Sequence, residues 1–294
     1  MPLTNAIQTI LANSDIAACD LTAGHQHTTH LAVHWRRHDP QSPGLLQPTA
    51  NGRYLIASLT KPIVSLLAVL QAARGLFWLN EHLRSFRPDF RRGPLRTITL
   101  RHLLTHSSGL PDMLPENEQL RTAHASVPQF AAATAQQDPA FPPGTATSYC
   151  SMGFALLQSV VELTAEQPLP QLLQQQLFTP LDMQNSWLGL PADRAHALLQ
   201  DSLPCELPPG QSPDTDWHWN SLYWRTLGAP WGGMTSTASD LGKLLGCLAS
   251  AGQLPCGQQL LPPRTVAASL VADGVGIVEV PNFARQRAAH PLGL

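Results

Sequence analysis

Apolar residues at Ile63, Leu66, Leu67 and Leu70 repeat at the three-and-four spacing of one helix face, within the stretch from Leu55 to Gly75. Gly75 is a natural C-terminal stop for that helix. Ser58 stands near its start, and Pro62 falls in the first turns, where a missing N–H does no harm. Further helices are predicted over 3–12, 100–105, 127–137, 151–165, 168–178 and 262–271. Thr237-Ala238-Ser239-Asp240 has capping-box spacing, with Asp in place of the usual Glu, and opens a helix to about 249. Alternation is rarer. Leu31, Val33 and Trp35 alternate with polar neighbours and predict a strand over 28–36. A second strand is predicted over 15–21, with the connecting turn at Gly24. Residues 39–52 read as a loop, as do residues 190–230, which are rich in Pro, Trp and Asp and show no period. Two strands are too few to make a stable sheet without a large partner.

Composition narrows the function. The chain has 294 residues, of which 43% are hydrophobic and 13% charged, and its net charge is -2. That is ample core material and no basic face, so nucleic-acid binding and wholesale disorder are both excluded. No run approaches the ~20 apolar residues of a membrane span. The N-terminus lacks the basic and apolar regions of a signal peptide. Five cysteines without CxxC spacing read as reduced thiols, so a cytoplasmic protein is expected.

The candidate chemistry starts at Ser58-Leu59-Thr60-Lys61. A serine and a lysine three apart at a helix start lie on one face, within reach of each other. A serine hydroxyl needs a base to become a nucleophile. A lysine held in an apolar pocket is partly neutral and can take that proton. The plain alternative is an ordinary helix start with a surface lysine. His25, His27, His30, His34 and His38 cluster near the N-terminus, but no carboxylate or cysteine completes a metal set, so a solvated strand and loop is expected. No metal and no cofactor are expected. His102 and His106 read as structural, and Trp231-Gly232-Gly233 as a tight turn on a pocket rim.

The flanks of that motif resemble the serine β-lactamase and penicillin-binding-protein superfamily, and within it the class C β-lactamase, D-aminopeptidase and esterase branch. Leu55-Ile56-Ala57-Ser58-Leu59-Thr60-Lys61-Pro62 matches the nucleophile motif almost residue for residue. The stretch from Thr97 to Pro111, with Leu103-Leu104-Thr105-His106-Ser107-Ser108-Gly109-Leu110-Pro111, is similar to the helix-and-turn signature. Phe141-Pro142-Pro143-Gly144 leads to Ser148-Tyr149-Cys150-Ser151, which looks like the Tyr-x-Asn motif. Pro180-Leu181-Asp182-Met183 and Ala229-Pro230-Trp231-Gly232-Gly233-Met234 follow in family order.

By position, the resemblance implies that Ser58 is the acylated nucleophile and that its N–H forms half of an oxyanion hole. Lys61 and Tyr149 would share the base and acid roles, with Lys61 as the charge that draws Tyr149 towards phenolate. Ser151, standing where many members have Asn, would contact substrate; its plain alternative is a helix N-cap. The fold implied is an α/β (α+β) sandwich of the β-lactamase/transpeptidase type, with an antiparallel sheet flanked by helices and an inserted helical region. Residues 1–75 and 235–294 would form the α/β part, and 76–234 the helical insertion. The expected function is a serine hydrolase working through an acyl-enzyme on esters, β-lactams or D-peptides, with esters preferred because Ser151 replaces Asn. The family's third motif, Lys/His-x-Gly on a strand, has no counterpart before Leu294, so missing C-terminal strands are expected. The alternative function is therefore an inactive homologue, or a fragment completed by another chain. Oligomeric state is left open.

Overall fold

The structure, a computed structural model, describes residues 2–37, 52–91 and 93–270. The predicted loop at 39–51 and the C-terminal segment from 271, on which the expectation of missing strands rests, lie outside the described residues. Eleven α-helices are described: α1 (Pro2–Ala12), α2 (Thr60–Ala73), α3 (Leu100–Leu104), α4 (Asn117–Thr122), α5 (Val127–Thr134), α6 (Met152–Ala165), α7 (Leu169–Leu173), α8 (Ala195–Gln200), α9 (Leu222–Leu227), α10 (Ala238–Ala249) and α11 (Pro263–Leu270). The strands are β1 (Ala18–His25), β2 (Thr28–Arg36), β3 (Tyr54–Leu55), β4 (Trp187–Leu188) and β5 (Met234–Ser236).

Helix α2 is the axis of the core. Residues from Thr60 to Gln71 are buried almost without interruption, on every face, as expected of a helix apolar all round. It stops as its sequence predicts. The Gly75 N–H donates to Ala72 O and the Leu76 N–H to Gln71 O, with Gly75 at φ 84°. That pair of bonds is a Schellman motif, and its left-handed position favours glycine. The equally buried α6 packs on α2, α3 and α5, and α11 packs on α2.

Two sheets replace the single hairpin expected. β1 and β2 pair antiparallel, and α10 packs on β1. The turn of this hairpin is at Gln26 and His27, not at Gly24. Gly24 sits inside β1 at a register shift, where a Cβ would lie 2.2 Å from Thr28 O. The second sheet has the order β3-β5-β4, antiparallel throughout. Its strands are two and three residues long, too short for alternation to show. The region 190–230 is not one loop. It carries α8 and α9, the second capped by Ser221 Oγ, which accepts the Trp224 N–H at 3.2 Å.

The Thr237 capping box is half formed. Thr237 Oγ1 accepts the Asp240 N–H at 3.1 Å. The Asp240 carboxylate turns away from the cap and accepts from the Asn185 N–H at 2.8 Å and the Ser186 hydroxyl at 2.9 Å. A complete box closes at α3 instead, where the His102 ring supplies the return acceptor. The His102 N–H donates to Thr99 Oγ1, and the Thr99 N–H to His102 Nδ1. In the N-terminal histidine cluster, His34 Nδ1 pairs with buried Asp20 at 2.9 Å, and Arg36 pairs with the same carboxylate at 2.6 Å. The sequence reading missed that carboxylate. His38 lies outside the described residues.

Candidate active site

Ser58 sits on a 3-10 turn, Ala57–Leu59, that runs straight into α2. Ala57 has φ 45°, a left-handed conformation unusual for a residue with a side chain. Two bonds hold this turn against β5: the Ile56 N–H donates to Met234 O at 2.9 Å, and the Met234 N–H to Thr60 Oγ1 at 3.2 Å. Ser58 itself is exposed, facing a cavity.

One turn on, Lys61 is 2% exposed. Its Nζ donates to Ser58 Oγ at 3.1 Å and to the Trp231 carbonyl at 2.7 Å. Burial pulls its pKa down to about 8, and the charge of Asp112 resists the fall. A lysine so placed has a substantial neutral fraction near pH 8 and can receive the Ser58 proton.

Tyr149 comes from the loop before α6 and faces Ser58 across the cavity. Lys61 Nζ lies over the face of its ring, 4.6 Å from the centroid. Burial raises the Tyr149 pKa, with the Ser58 hydroxyl pulling it back and Asp112 adding to the rise. A phenol whose pKa lies above its ordinary value is protonated at neutral pH. No hydrogen bond of ordinary geometry joins it to Ser58 among the described residues. His106 stacks on the ring, with centroids 4.6 Å apart. Burial and the Lys61 charge depress the His106 pKa to about 4. The neutral ring accepts the Cys150 N–H at Nδ1, at 3.1 Å. His106 thus positions the Tyr149 loop.

Ser151 occupies the N-cap position of α6, but its side chain makes no capping bond. It is buried and lines the same cavity, while its N–H donates to Asp112 Oδ1 at 2.9 Å. Ser58, Tyr149 and Ser151 thus converge on one space of about 410 Å³, with Lys61 just beneath it. Sequence reasoning missed Asp112, which directly follows the Ser107–Pro111 turn. It also missed Trp217, Trp219 and Trp224 in the wall, and Arg121 on α4. His218, between two of those tryptophans, turns to its own loop and accepts the Asn220 N–H at 3.0 Å. No group of three metal-ligating side chains occurs among the described residues.

The arrangement of a serine, a buried lysine one turn on and a tyrosine opposite coincides with a family-wide match. The Beta-lactamase family model covers residues 4–285. The chain belongs to the beta-lactamase family. Penicillin-binding protein 4 of Amycolatopsis lactamdurans is 31% identical over 74% of this chain and 56% of its own length. Esterase EstB of Burkholderia gladioli is 29% identical over 45% of this chain and 37% of its own. The chain thus spans about half or less of the length of these curated relatives. Among solved structures, EstCE1, a hydrolase with promiscuous acyltransferase activity, superposes with TM-score 0.72 at 18% identity, over 98% of this chain and 84% of that one. That likeness shows the β-lactamase/transpeptidase-like fold. Among the described residues, no helix is long and apolar enough to cross a membrane.

Proposed function

We propose that this protein is a serine hydrolase that cleaves small esters through an acyl-enzyme on Ser58. The observation that carries the reading is the 3.1 Å contact between Ser58 Oγ and the Nζ of a buried, desolvated lysine, at the edge of a substrate-sized cavity.

In the first step neutral Lys61 takes the Ser58 proton as Oγ bonds to the carbonyl carbon. The resulting oxyanion takes the Ser58 N–H, which lies at the start of α2 and is favoured by the helix dipole. Collapse breaks the bond to the leaving oxygen. The proton held on Lys61 departs with the alcohol, directly or through the Tyr149 phenol. Water then repeats the sequence in reverse and frees the acid. Ser151 offers the substrate a single hydroxyl, a poorer amide ligand than an Asn side chain, which supports esters over β-lactams and D-peptides. The kinship with an esterase supports the same choice.

The proposed division of the chain, 1–75 with 235–294 against 76–234, draws support from the packing of α10 on β1 and of α11 on α2. Five free cysteines support a reducing compartment such as the cytoplasm. A fluorophosphonate probe tests the function. Wild type is labelled and Ser58→Ala is not. A folded wild type that resists the probe contradicts the proposal and favours an inactive homologue.

A further inference from the structure

The cavity at Ser58 holds a cation that the serine–lysine chemistry does not use. Arg121 lines it from α4 and is 4% exposed. Its guanidinium lies over the Trp224 ring, 4.1 Å from the centroid. Among the described residues its Nε meets no hydrogen-bond acceptor and no carboxylate pairs with it. Tyr223 is the ionisable group that acts on its charge. That phenol is pushed up to about 12 by burial and donates its proton to Ala125 O at 2.7 Å, so it supplies no anion at neutral pH. Burial lowers the Arg121 pKa to about 10, which leaves the guanidinium charged at neutral pH.

The indole Nε1 atoms of Trp224 and Trp231 are also without partners among the described residues, but they are turned away from the open space, which leaves Arg121 as the polar group of interest. Asp112 and Glu118 also line the cavity, but neither pairs with Arg121: Asp112 accepts the Ser151 N–H, and both residues are exposed. A buried donor without an acceptor has lost its hydration and gained nothing in return. A buried, planar cation with no carboxylate partner, on the wall of this cavity, matches a ligand that brings anionic oxygens.

We infer that Arg121 is a specificity residue that receives a free carboxylate carried by the substrate in addition to its ester. The preferred substrates are therefore carboxylate-bearing esters: half-esters of dicarboxylic acids, or acyl esters of hydroxy acids. The inference rests on the reading of this cavity as the hydrolase site and names the class of ester that fits it.

Binding to the full-length chain decides the matter without turnover. In Ser58→Ala, which leaves the ligand intact, quenching of tryptophan fluorescence is titrated with two sets of probes. One set is the monobutyl esters of succinate, glutarate and adipate; the other is the butyryl esters of hydroxy acids of matched length. Each is compared with its methyl-capped neutral counterpart. At least one anionic probe should bind roughly 10- to 100-fold more tightly than its neutral partner, the size expected of a charge-assisted bond to a buried guanidinium. Adding Arg121→Met, which keeps the packing stem, should bring that ratio near one. Equal binding of every charged and neutral pair overturns the inference before any Arg121 variant is made. So does a preference that survives Arg121→Met in a protein of unchanged circular dichroism. Hydrolysis of the same esters by wild type is scored separately. Hydrolysis without a charge preference sinks this inference alone, and a charge preference without hydrolysis sinks the hydrolase reading alone.

Discussion

Lys61 has exchanged water for two oxygens, the Ser58 hydroxyl and the Trp231 carbonyl, and the exchange leaves its ammonium undersolvated. The neutral amine is the form that can act as base, and its pKa of about 8 fixes the sign of the pH dependence. Ester hydrolysis should rise about tenfold per unit below pH 8 and level off above it, with no fall until the Tyr149 phenol ionises. A kcat/KM profile that is flat or declining from about pH 6 to 9 would remove Lys61 from the base role. The serine and lysine were legible because their spacing and flanks are local in sequence. Trp231's carbonyl was not, because any residue carries one; what brings it to Lys61 is a contact spanning the chain. Nor was the stack of Lys61 on Tyr149, which joins positions far apart in the chain. Arg121 was invisible for a similar reason: a lone arginine in a polar stretch reads as surface until α4 is seen packed against Trp224.

The elements that hold the site are joined at a few tight points. Gly233 is one. A Cβ there would lie 2.6 Å from the Ala229 nitrogen, so Gly233→Ala must shift the turn that presents the Trp231 carbonyl. This substitution should lower kcat/KM by more than tenfold while costing about 1–3 kcal/mol of stability, as overpacking does. Steady-state kinetics and urea unfolding on the same sample check both numbers, and an unchanged kcat would show that the turn does not position Lys61. Asp240 is another such point. It is buried and ties the start of α10 to Asn185 and Ser186 beside β4. Asp240→Ala should cost about 2–4 kcal/mol, because it leaves the buried Ser186 hydroxyl and the half-buried Asn185 N–H without this acceptor; a loss below 1 kcal/mol in urea unfolding would contradict that role. Long periodic elements such as α2, α6 and α10 were legible. β3, β4 and β5 were not, because pairs and triplets of residues carry no period. Those short strands are what bring Ile56 and Met234 together behind Ser58.

At the scale of the whole molecule, the cavity draws its walls from distant parts of the chain. The α2 turn brings Ser58, the loop before α6 brings Tyr149 and Ser151, and residues 209–232 bring the tryptophans. A buried α2 passing through the core fixes the first wall, and α6 packed on α2 fixes the second. Such convergence without a shared function is hard to explain, since an exposed serine, a desolvated lysine and a cavity each reduce stability or gain nothing for it. All three are accounted for if a covalent acyl group forms on Ser58. Intact-mass and peptide-mapping spectrometry of the protein, quenched in acid during turnover of an activated para-nitrophenyl ester, measures that directly. The acyl mass should appear on the peptide bearing Ser58 and on no other, and should vanish in Ser58→Ala. Turnover with no acyl mass at Ser58, or with the mass on another residue, would contradict the mechanism.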